Sequence, residues 1–194
     1  MANIWLIADT HFGHANMLKF KRADNVTSVR PEFASVQEMD EIIIERWNKV
    51  VKPNDKVYHL GDIMMGSKAG ELAKYMLRLH GKKRLIRGNH DDCHITDYLM
   101  YFDEVYASRR LDRLLLTHIP IAPWNIGKHS ANVHGHVHQS QPMVYTVKSQ
   151  TMIPTELGYP IIESRVTYVN LSVEMINYTP VALEYVNQHV AKFL

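Results

Sequence analysis

The sequence contains a single cysteine, Cys93, so a disulfide bond within the chain is excluded. This usage is typical of reducing compartments, in which disulfides are rare. No apolar run approaches the roughly 18–20 residues that a membrane-spanning helix requires. The first residues also lack the basic and apolar regions of a signal peptide. We therefore expect a cytoplasmic protein without a membrane partner.

A large excess of charge of either sign is also absent. The 194 residues include 22 lysines and arginines and 20 aspartates and glutamates, a net charge of +2 with histidine neutral. Proteins that bind nucleic acid usually carry a stronger positive field, so this composition argues against such a partner. The length and the hydrophobic fraction of 46% predict a single domain, residues 1–194, with a sizeable core.

The pattern of apolar residues predicts an α/β fold. In the first half, short apolar runs alternate with segments of helical periodicity, such as residues 35–51, where Ser35 and Glu38 form a capping box. The second half is richer in strand patterns and indicates a second sheet. Residues 148–164 show the least periodicity and are predicted to form a loop, and Pro180 is predicted to open a C-terminal helix.

Histidine, in contrast, is abundant. The chain has 12 histidines, whereas about four or five are usual at this length. Many belong to polar clusters that directly follow predicted strands. These clusters are Asp9-Thr10-His11, Gly61-Asp62, Gly88-Asn89-His90-Asp91, Thr117-His118 and Gly135-His136-Val137-His138. Because ligands of open α/β sheets bind at the carboxyl ends of the strands, we expect the five clusters to converge.

The spacing and chemistry of these side chains indicate metal binding. Residues i and i+2 of an extended segment point the same way, so Asp9 and His11 are predicted to face one point, as are His136 and His138. Carboxylates, imidazoles and an amide oxygen suit a pair of divalent cations, such as Mn, Fe, Ni, Co or Zn. Three glycines in the clusters are predicted to let the backbone turn tightly, namely Gly61, Gly88 and Gly135.

The five clusters, taken in order, resemble the signature of the calcineurin-like metallophosphoesterase superfamily. That signature is D-x-H, G-D, G-N-H-[DE], a lone H and G-H-x-H, and every block is intact here. The stretches "FGH" and "VYHLGD" resemble a compact bacterial and bacteriophage branch without large cap domains. The resemblance implies an αββα sandwich, in which two packed, mostly mixed β-sheets are flanked by helices.

The resemblance also implies two metal ions, with manganese as the expected metal. One metal is expected to be held by Asp9, His11 and His138 and the other by Asn89, His118 and His136. Asp62 is expected to bridge the two ions, since a shared carboxylate offsets the repulsion of cations about 3.5–4 Å apart.

Further roles follow from the same resemblance. A hydroxide that bridges the metals is expected to attack phosphorus in line with the leaving group. His90 is expected to lie near the leaving-group oxygen, and Asp91 to orient the His90 ring. His14 and Asn16 either cap a helix near Ala15 or contact the substrate phosphate, and the match of "FGHAN" to the branch favours the substrate.

Several polar and aromatic residues remain open between structural and functional roles. His59 is interpreted as a packed core histidine, while His134 and His129 are equally compatible with the cleft and with the surface. Trp124 could stack on a base or fill the core. No role is predicted for Cys93 or His94. The rim of the cleft is predicted to contain His14, Asn16, Lys19, Lys21, Arg22, Trp124 and His129.

We therefore predict a dinuclear metal-dependent phosphoesterase with a small phosphorylated substrate. Phosphodiesters are favoured over monoesters, and a nucleotide is one candidate. A nuclease that acts on DNA or RNA and a non-catalytic metal-binding scaffold are the two alternatives.

Overall fold

The computed structural model describes residues 2–66, 69–152 and 161–193, which form two five-stranded β-sheets flanked by helices. The strands are β1 (Ile4–Ile7), β2 (Lys56–His59), β3 (Lys82–Ile86), β4 (Glu104–Tyr106), β5 (Arg109–Leu111), β6 (Leu114–Leu116), β7 (Ala131–His134), β8 (Val144–Met152), β9 (Ile161–Asn170) and β10 (Val181–Ala182). The α-helices are α1 (Val36–Val50), α2 (Ala69–Met76), α3 (Ile95–Leu99) and α4 (Leu183–Ala191). Short 3-10 helices cover Ala15–Leu18, Pro123–Asn125, His138–Ser140 and Val173–Met175.

Both sheets are mixed, so the predicted fold class is confirmed. The first sheet has the order β10-β1-β2-β3-β4, in which β1 to β4 are parallel and β10 is antiparallel to β1. The second has the order β5-β6-β7-β9-β8, with β6, β7 and β9 parallel and the two edge strands antiparallel. One cluster of buried apolar side chains includes residues of both sheets. No helix of the described ranges is long and apolar enough to cross a membrane.

Helix α1 shows how local sequence produces this packing. Ser35 caps the helix by accepting a hydrogen bond from the Glu38 N–H (3.1 Å). The Glu38 carboxylate accepts from the Ala34 N–H (2.8 Å) and not from that of Ser35, so half of the predicted capping box forms. Helical spacing places Met39, Ile43 and Trp47 on one buried face. The Trp47 ring stacks on His59 of β2 at 6.4 Å, so α1 covers the first sheet.

Two predictions about the C-terminal half are wrong. Residues 148–152 and 161–164 belong to the antiparallel pair β8–β9 rather than to a loop, because cross-strand pairing stabilises a segment whose own periodicity is weak. The remainder of the predicted loop, residues 153–160, lies outside the described part. Pro180 does not open the last helix, since residues 181 and 182 first pair with β1 and α4 begins at Leu183.

The segment after β9 joins the two sheets at their carboxyl ends. The Ala8 N–H donates to the carbonyl of Leu171 (3.0 Å), and the Leu171 N–H donates to the carbonyl of His134 (2.8 Å). The end of β1 therefore lies beside the end of β7. This junction brings the polar clusters of both sheets to one place.

Candidate metal centre

Two groups of metal-ligating side chains lie at the junction of the sheets. We call Asp9, His11 and His138 the first cluster, and Asp62, His118 and His136 the second. Within each, one ligand atom per residue lies within 4.8 Å of the others. Four of these six residues are almost completely buried. The structure thus brings together the residues that the sequence predicts as ligands.

Asp62 belongs to the second cluster but also faces the first. Its Oδ2 is 3.6 Å from Nε2 of His11 and 3.4 Å from Nε2 of His118. Its Oδ1 accepts a hydrogen bond from the His90 N–H (2.9 Å). Burial alone would raise the pKa of Asp62, but the His118 imidazole and the His90 N–H outweigh it and hold the pKa well below its usual range. An ionised carboxylate that faces both clusters has the position a bridging ligand requires.

His118 is oriented toward the second cluster by its neighbours. Its Nδ1 lies 2.7 Å from the Leu60 carbonyl. A carbonyl can only accept a hydrogen bond, so Nδ1 is the donor and Nε2 is left to face inward. The amide Oδ1 of Asn89 lies 2.9 Å from this Nε2. Burial lowers the pKa of His118, but Asp62 and Asp9 more than offset this and raise it to about 9. A proton and a metal ion therefore compete for the same nitrogen.

His11 supplies a direct test of whether the first cluster fits a cation. Both ring nitrogens are buried and have no hydrogen-bond partner among the described residues. A buried polar group without a hydrogen-bond partner lowers folding stability by about 1–3 kcal/mol. We therefore expect the ring nitrogens to have a partner that the described residues do not supply. Burial also raises the pKa of Asp9 to about 6, although His138 and His118 oppose the shift. A divalent cation would satisfy His11 and favour ionised Asp9, and this donor set suits such a cation.

The backbone brings these side chains inward in a way that differs from the prediction. Asp9, His11, Asp62, His136 and His138 have φ values of 58°, 48°, 57°, 70° and 45°. These residues are left-handed, so the segments are not extended as predicted. Asp9 and His11 nevertheless face one point in the first cluster, whereas His136 and His138 belong to different clusters. Each such residue costs about 1–2 kcal/mol relative to right-handed backbone, which the surrounding contacts must offset.

Three glycines allow the motif loops to approach one another. Gly61 has a φ of +95° and makes the predicted turn. Gly88 and Gly135 do not have positive φ, and their role is instead to leave space. A Cβ at Gly88 would lie 2.5 Å from the Asp62 N and collide with its carboxylate, while one at Gly135 would collide with the Asp9 carboxylate.

His90 and Asp91 lie where the sequence predicts, but Asp91 has a different role. The half-buried His90 ring lines a cleft beside the clusters, with its centroid 5.9 Å from that of His11. Oδ2 of Asp91 accepts from the N–H groups of Asp62 (3.0 Å) and Gly88 (2.7 Å), and Oδ1 accepts from that of Ile63 (3.0 Å). The predicted orientation of the His90 ring by Asp91 is therefore wrong, because backbone amides use both carboxylate oxygens.

Arg30 and Glu174 are site residues that the sequence analysis missed. Arg30 is fully buried and donates to the carbonyls of Asp9 (2.6 Å) and Thr10 (2.9 Å) and to Oε1 of Glu174 (2.7 Å). The same Oε1 lies 3.0 Å from Nδ1 of His138. Burial would raise the pKa of Glu174, but Arg30 and His138 outweigh it and lower the pKa to about 2. Both residues lie outside the motifs, so no sequence signal indicates them.

The cleft beside the clusters has a volume of about 660 Å³, and only some of the predicted rim residues line it. His14, Lys21 and Arg22 line it, whereas Trp124 and His129 do not. Asn16 is exposed and also lies outside the lining, and its carbonyl accepts from the N–H groups of residues 19 and 20. The placement supports a substrate contact for His14 and not for Asn16. The lining also contains apolar residues that were not predicted, the largest of them Met17, Phe20 and Met65.

Two further histidines, His134 and His94, have structural roles. Nδ1 of His134 lies 2.8 Å from the Gly135 carbonyl, and its Nε2 lies 3.0 Å from the Tyr145 hydroxyl, so His134 is a core residue. His94 caps α3, since its Nδ1 accepts from the Thr96 N–H (3.4 Å).

His59 is a packed core histidine, as predicted, and it links two motif loops. Its Nδ1 accepts from the Gly61 N–H (3.2 Å), so Nε2 carries the proton and donates to the Thr10 hydroxyl (3.0 Å). The Thr10 hydroxyl in turn donates to the Ile63 carbonyl (2.8 Å). Burial lowers the pKa of His59 to about 3, so the ring is neutral at physiological pH.

This burial predicts a pH-dependent stability. The folded pKa lies below the unfolded value of about 6.5, so the contribution of His59 is complete above pH 6.5 and is lost as the pH falls toward 3. Between pH 6.5 and 4.5, the unfolding free energy of metal-free wild type should fall by about 1.4 kcal/mol per pH unit more than that of His59→Gln. Urea unfolding in chelator measures both slopes. His80→Gln, which removes an exposed histidine, is the control, and equal slopes for wild type and His59→Gln would contradict the prediction.

Comparison with known proteins agrees with this geometry. A family model described as calcineurin-like phosphoesterase matches residues 2–166. The uncharacterized protein MJ1445 of Methanocaldococcus jannaschii is 32% identical over 197 aligned positions, which cover 99% of this chain and 93% of that protein. The Gene 66 protein of Mycobacterium phage L5 is 28% identical over 182 positions, covering 74% and 80%.

A solved structure has the same fold. The crystal structure of the protein of unknown function AQ665 from Aquifex aeolicus matches with a TM-score of 0.65 at 24% identity, covering 97% of this chain and 100% of that chain. The family model spans most of the sequence, and its range contains the strand-end clusters that meet in the structure. The chain therefore belongs to the calcineurin-like phosphoesterase family.

Proposed function

We propose that the protein is a dinuclear phosphodiesterase that hydrolyses small phosphate diesters, with Mn²⁺ as its preferred cation. Membership of the family makes it a metal-dependent phosphoesterase, and two candidate metal clusters agree with this. The preference for diesters rests on one observation. The cleft beside the clusters has an apolar wall that is suited to a second ester group.

The protein's part in catalysis is to hold charge and to orient groups. When bound, the two cations supply an acidified water as nucleophile and neutralise the phosphate. The carboxylates of Asp9 and Asp62 only partly offset two divalent cations, so the site keeps a positive charge for an anionic substrate. The His90 ring lies in the cleft, and the backbone N–H of His90 donates to Asp62 and anchors the residue. From there the ring can donate a proton or hydrogen bond to the leaving oxygen.

The cleft distinguishes between the two classes of ester. A monoester phosphate carries up to two charges and three free oxygens, which cationic side chains usually surround. A diester carries one charge and has a second organic group to place. The large apolar side chains of Met17, Phe20 and Met65 line the cleft. Lys21 and Arg22, the basic residues of the lining, lie on the exposed hairpin 20–29. This distribution favours an organic group over additional phosphate charge.

Phe20 is the candidate for contact with an aromatic ester group. Its ring is 48% exposed and lies edge-on to His14 at 5.7 Å, and the His14 ring lies 5.6 Å from that of His11. A base or nitrophenyl ring attached to a phosphate at the clusters can therefore reach it. Phe20 thus takes the stacking role that the sequence analysis considered for Trp124, whose indole is 64% exposed but lies outside the cleft lining.

The proposal predicts a kinetic preference that Phe20 should partly determine. Bis-nitrophenyl phosphate or a cyclic nucleotide should be cleaved with higher kcat/KM than nitrophenyl phosphate. Phe20→Ala should lower kcat/KM for aromatic diesters roughly 2–12-fold, the scale of one aromatic pair, and leave simple alkyl diesters within about twofold. Steady-state kinetics with Mn²⁺-loaded protein measures both effects, and Trp124→Ala is the matched control outside the cleft.

Other outcomes would favour the alternatives. A preference for monoesters would contradict the diester proposal while leaving the family chemistry intact. Efficient digestion of duplex DNA would support a nuclease. Two bound metals without hydrolysis of any ester tested would support a non-catalytic scaffold.

A further inference from the structure

Arg30 and Glu174 form a buried ion pair directly behind the first cluster. Their side chains are 0% and 2% exposed, and they lie 144 residues apart in the sequence. Removing two charges from water costs free energy that their mutual attraction often does not recover, so a buried ion pair is weak evidence for a gain in stability. The contacts of the pair therefore require an explanation other than general stabilisation of the fold.

Those contacts reach Asp9 and His138 of the first cluster directly, and they reach the Thr10 carbonyl, which directly precedes His11. The two terminal nitrogens of Arg30 donate to the carbonyls of Asp9 and Thr10, which belong to the turn with left-handed Asp9 and His11. Nη1 also lies 3.1 Å from the sulfur of Met39 on α1, which fixes the guanidinium plane. The fork thus holds the two peptide groups on either side of Thr10, which link Asp9 to His11.

Glu174 acts on the remaining member of the cluster. Its Oε1 accepts from Nδ1 of His138 (3.0 Å), which leaves Nε2 of that ring free to face a cation. The same oxygen accepts from Arg30, so the position of His138 and that of the Asp9 turn are coupled through one ion pair. The second cluster has separate supports, because Leu60 orients His118 and Asp91 holds the Asp62 N–H.

We propose that the Arg30–Glu174 pair is a positioning device that sets the metal affinity of the first cluster and leaves that of the second unchanged. Neither residue contacts the cation, and both act through groups that do. The proposal does not depend on which phosphate ester the protein hydrolyses, so it can fail or hold independently of the diester preference.

Arg30→Lys tests the proposal because it keeps the charge and removes the planar fork. The first cluster should bind Mn²⁺ about 10–100-fold more weakly, the usual effect of losing a group that orients metal ligands. The second cluster should stay within about threefold of wild type. Titration calorimetry and the spin coupling of the Mn²⁺ pair in electron paramagnetic resonance measure these effects without turnover. Arg46→Lys is the control, since Arg46 also lies 5.8 Å from the Tyr178 ring but bonds only to Asn177 among the described residues.

Double variants assign the loss to one cluster. In the background of His136→Ala, which disables the second cluster, Arg30→Lys should still weaken the remaining site. In the background of His11→Ala, which disables the first, Arg30→Lys should have no further effect. Circular dichroism of the metal-free proteins checks folding, and Glu174→Gln replaces Arg30→Lys in every arm if the latter does not fold. Equal weakening of both clusters, or unchanged affinity at the first, would overturn the proposal.

Discussion

Replacing Asp62 with asparagine should lower hydrolysis by roughly three orders of magnitude and weaken metal binding at both clusters. The two cations are worth several kcal/mol of charge stabilisation in the transition state, and about 1.4 kcal/mol corresponds to a factor of ten in rate. Since Oδ2 of Asp62 faces His11 and His118 at similar distances, one substitution removes a charge from both sites.

The substitution is close to isosteric, so its effect can be separated from misfolding. The asparagine can still accept from the His90 N–H through its amide oxygen, and the loop stays anchored because Asp91 holds its N–H. Metal content after dialysis and Mn²⁺ titration give the affinity, and hydrolysis after chelation and Mn²⁺ addition gives the activity. Wild type should lose activity with chelator and regain it with Mn²⁺.

Asp92→Asn provides the matched control. It removes an exposed carboxylate from the loop of His90 and lies outside both clusters, so metal content and rate should stay near wild type. Two metals bound by Asp62→Asn as tightly as by wild type would contradict the bridging position. Loss of only one metal would place Asp62 in a single site.

Much of the site could be predicted from the sequence because its residues recur in order after recognisable strands. The apolar runs predict the strands, and the carboxyl ends of parallel strands meet at one edge. Asp9, Asp62 and Asn89 follow three neighbouring parallel strands of the first sheet and could therefore be placed together without coordinates. The junction of the two sheets could not be predicted in this way, because it depends on hydrogen bonds of Leu171, which belongs to no motif.

The errors share a physical origin in loop backbone and long-range contacts. Left-handed φ at Asp9 and His136 cannot be predicted from residue type alone, since these residues adopt it only when surrounding groups compensate. Arg30 resembles any basic loop residue until its four contacts are seen. The adjacency of Asp91 to His90 suggested a contact, but three backbone amides from two loops use the carboxylate first.

His90→Ala should keep both metals and slow hydrolysis of esters with poor leaving groups by roughly 10²–10⁴, the usual scale for a positioned acid or base. Metal binding should survive because the contact with Asp62 comes from the His90 backbone N–H, which alanine retains. Only the ring in the cleft is lost. The substitution therefore isolates proton donation from the metal centre.

The leaving group decides whether this role is right. A nitrophenolate departs readily without a proton, so the loss with bis-nitrophenyl phosphate should be below about tenfold. An alkoxide departs poorly, so a cyclic nucleotide should show the full loss in kcat. Parallel kinetics and metal analysis measure both, with His129→Ala as the control because His129 lies outside the cleft lining. Equal losses for the two substrates would exclude leaving-group assistance. An effect confined to KM would instead make His90 a phosphate-binding residue, since the ring would then stabilise bound substrate and transition state alike.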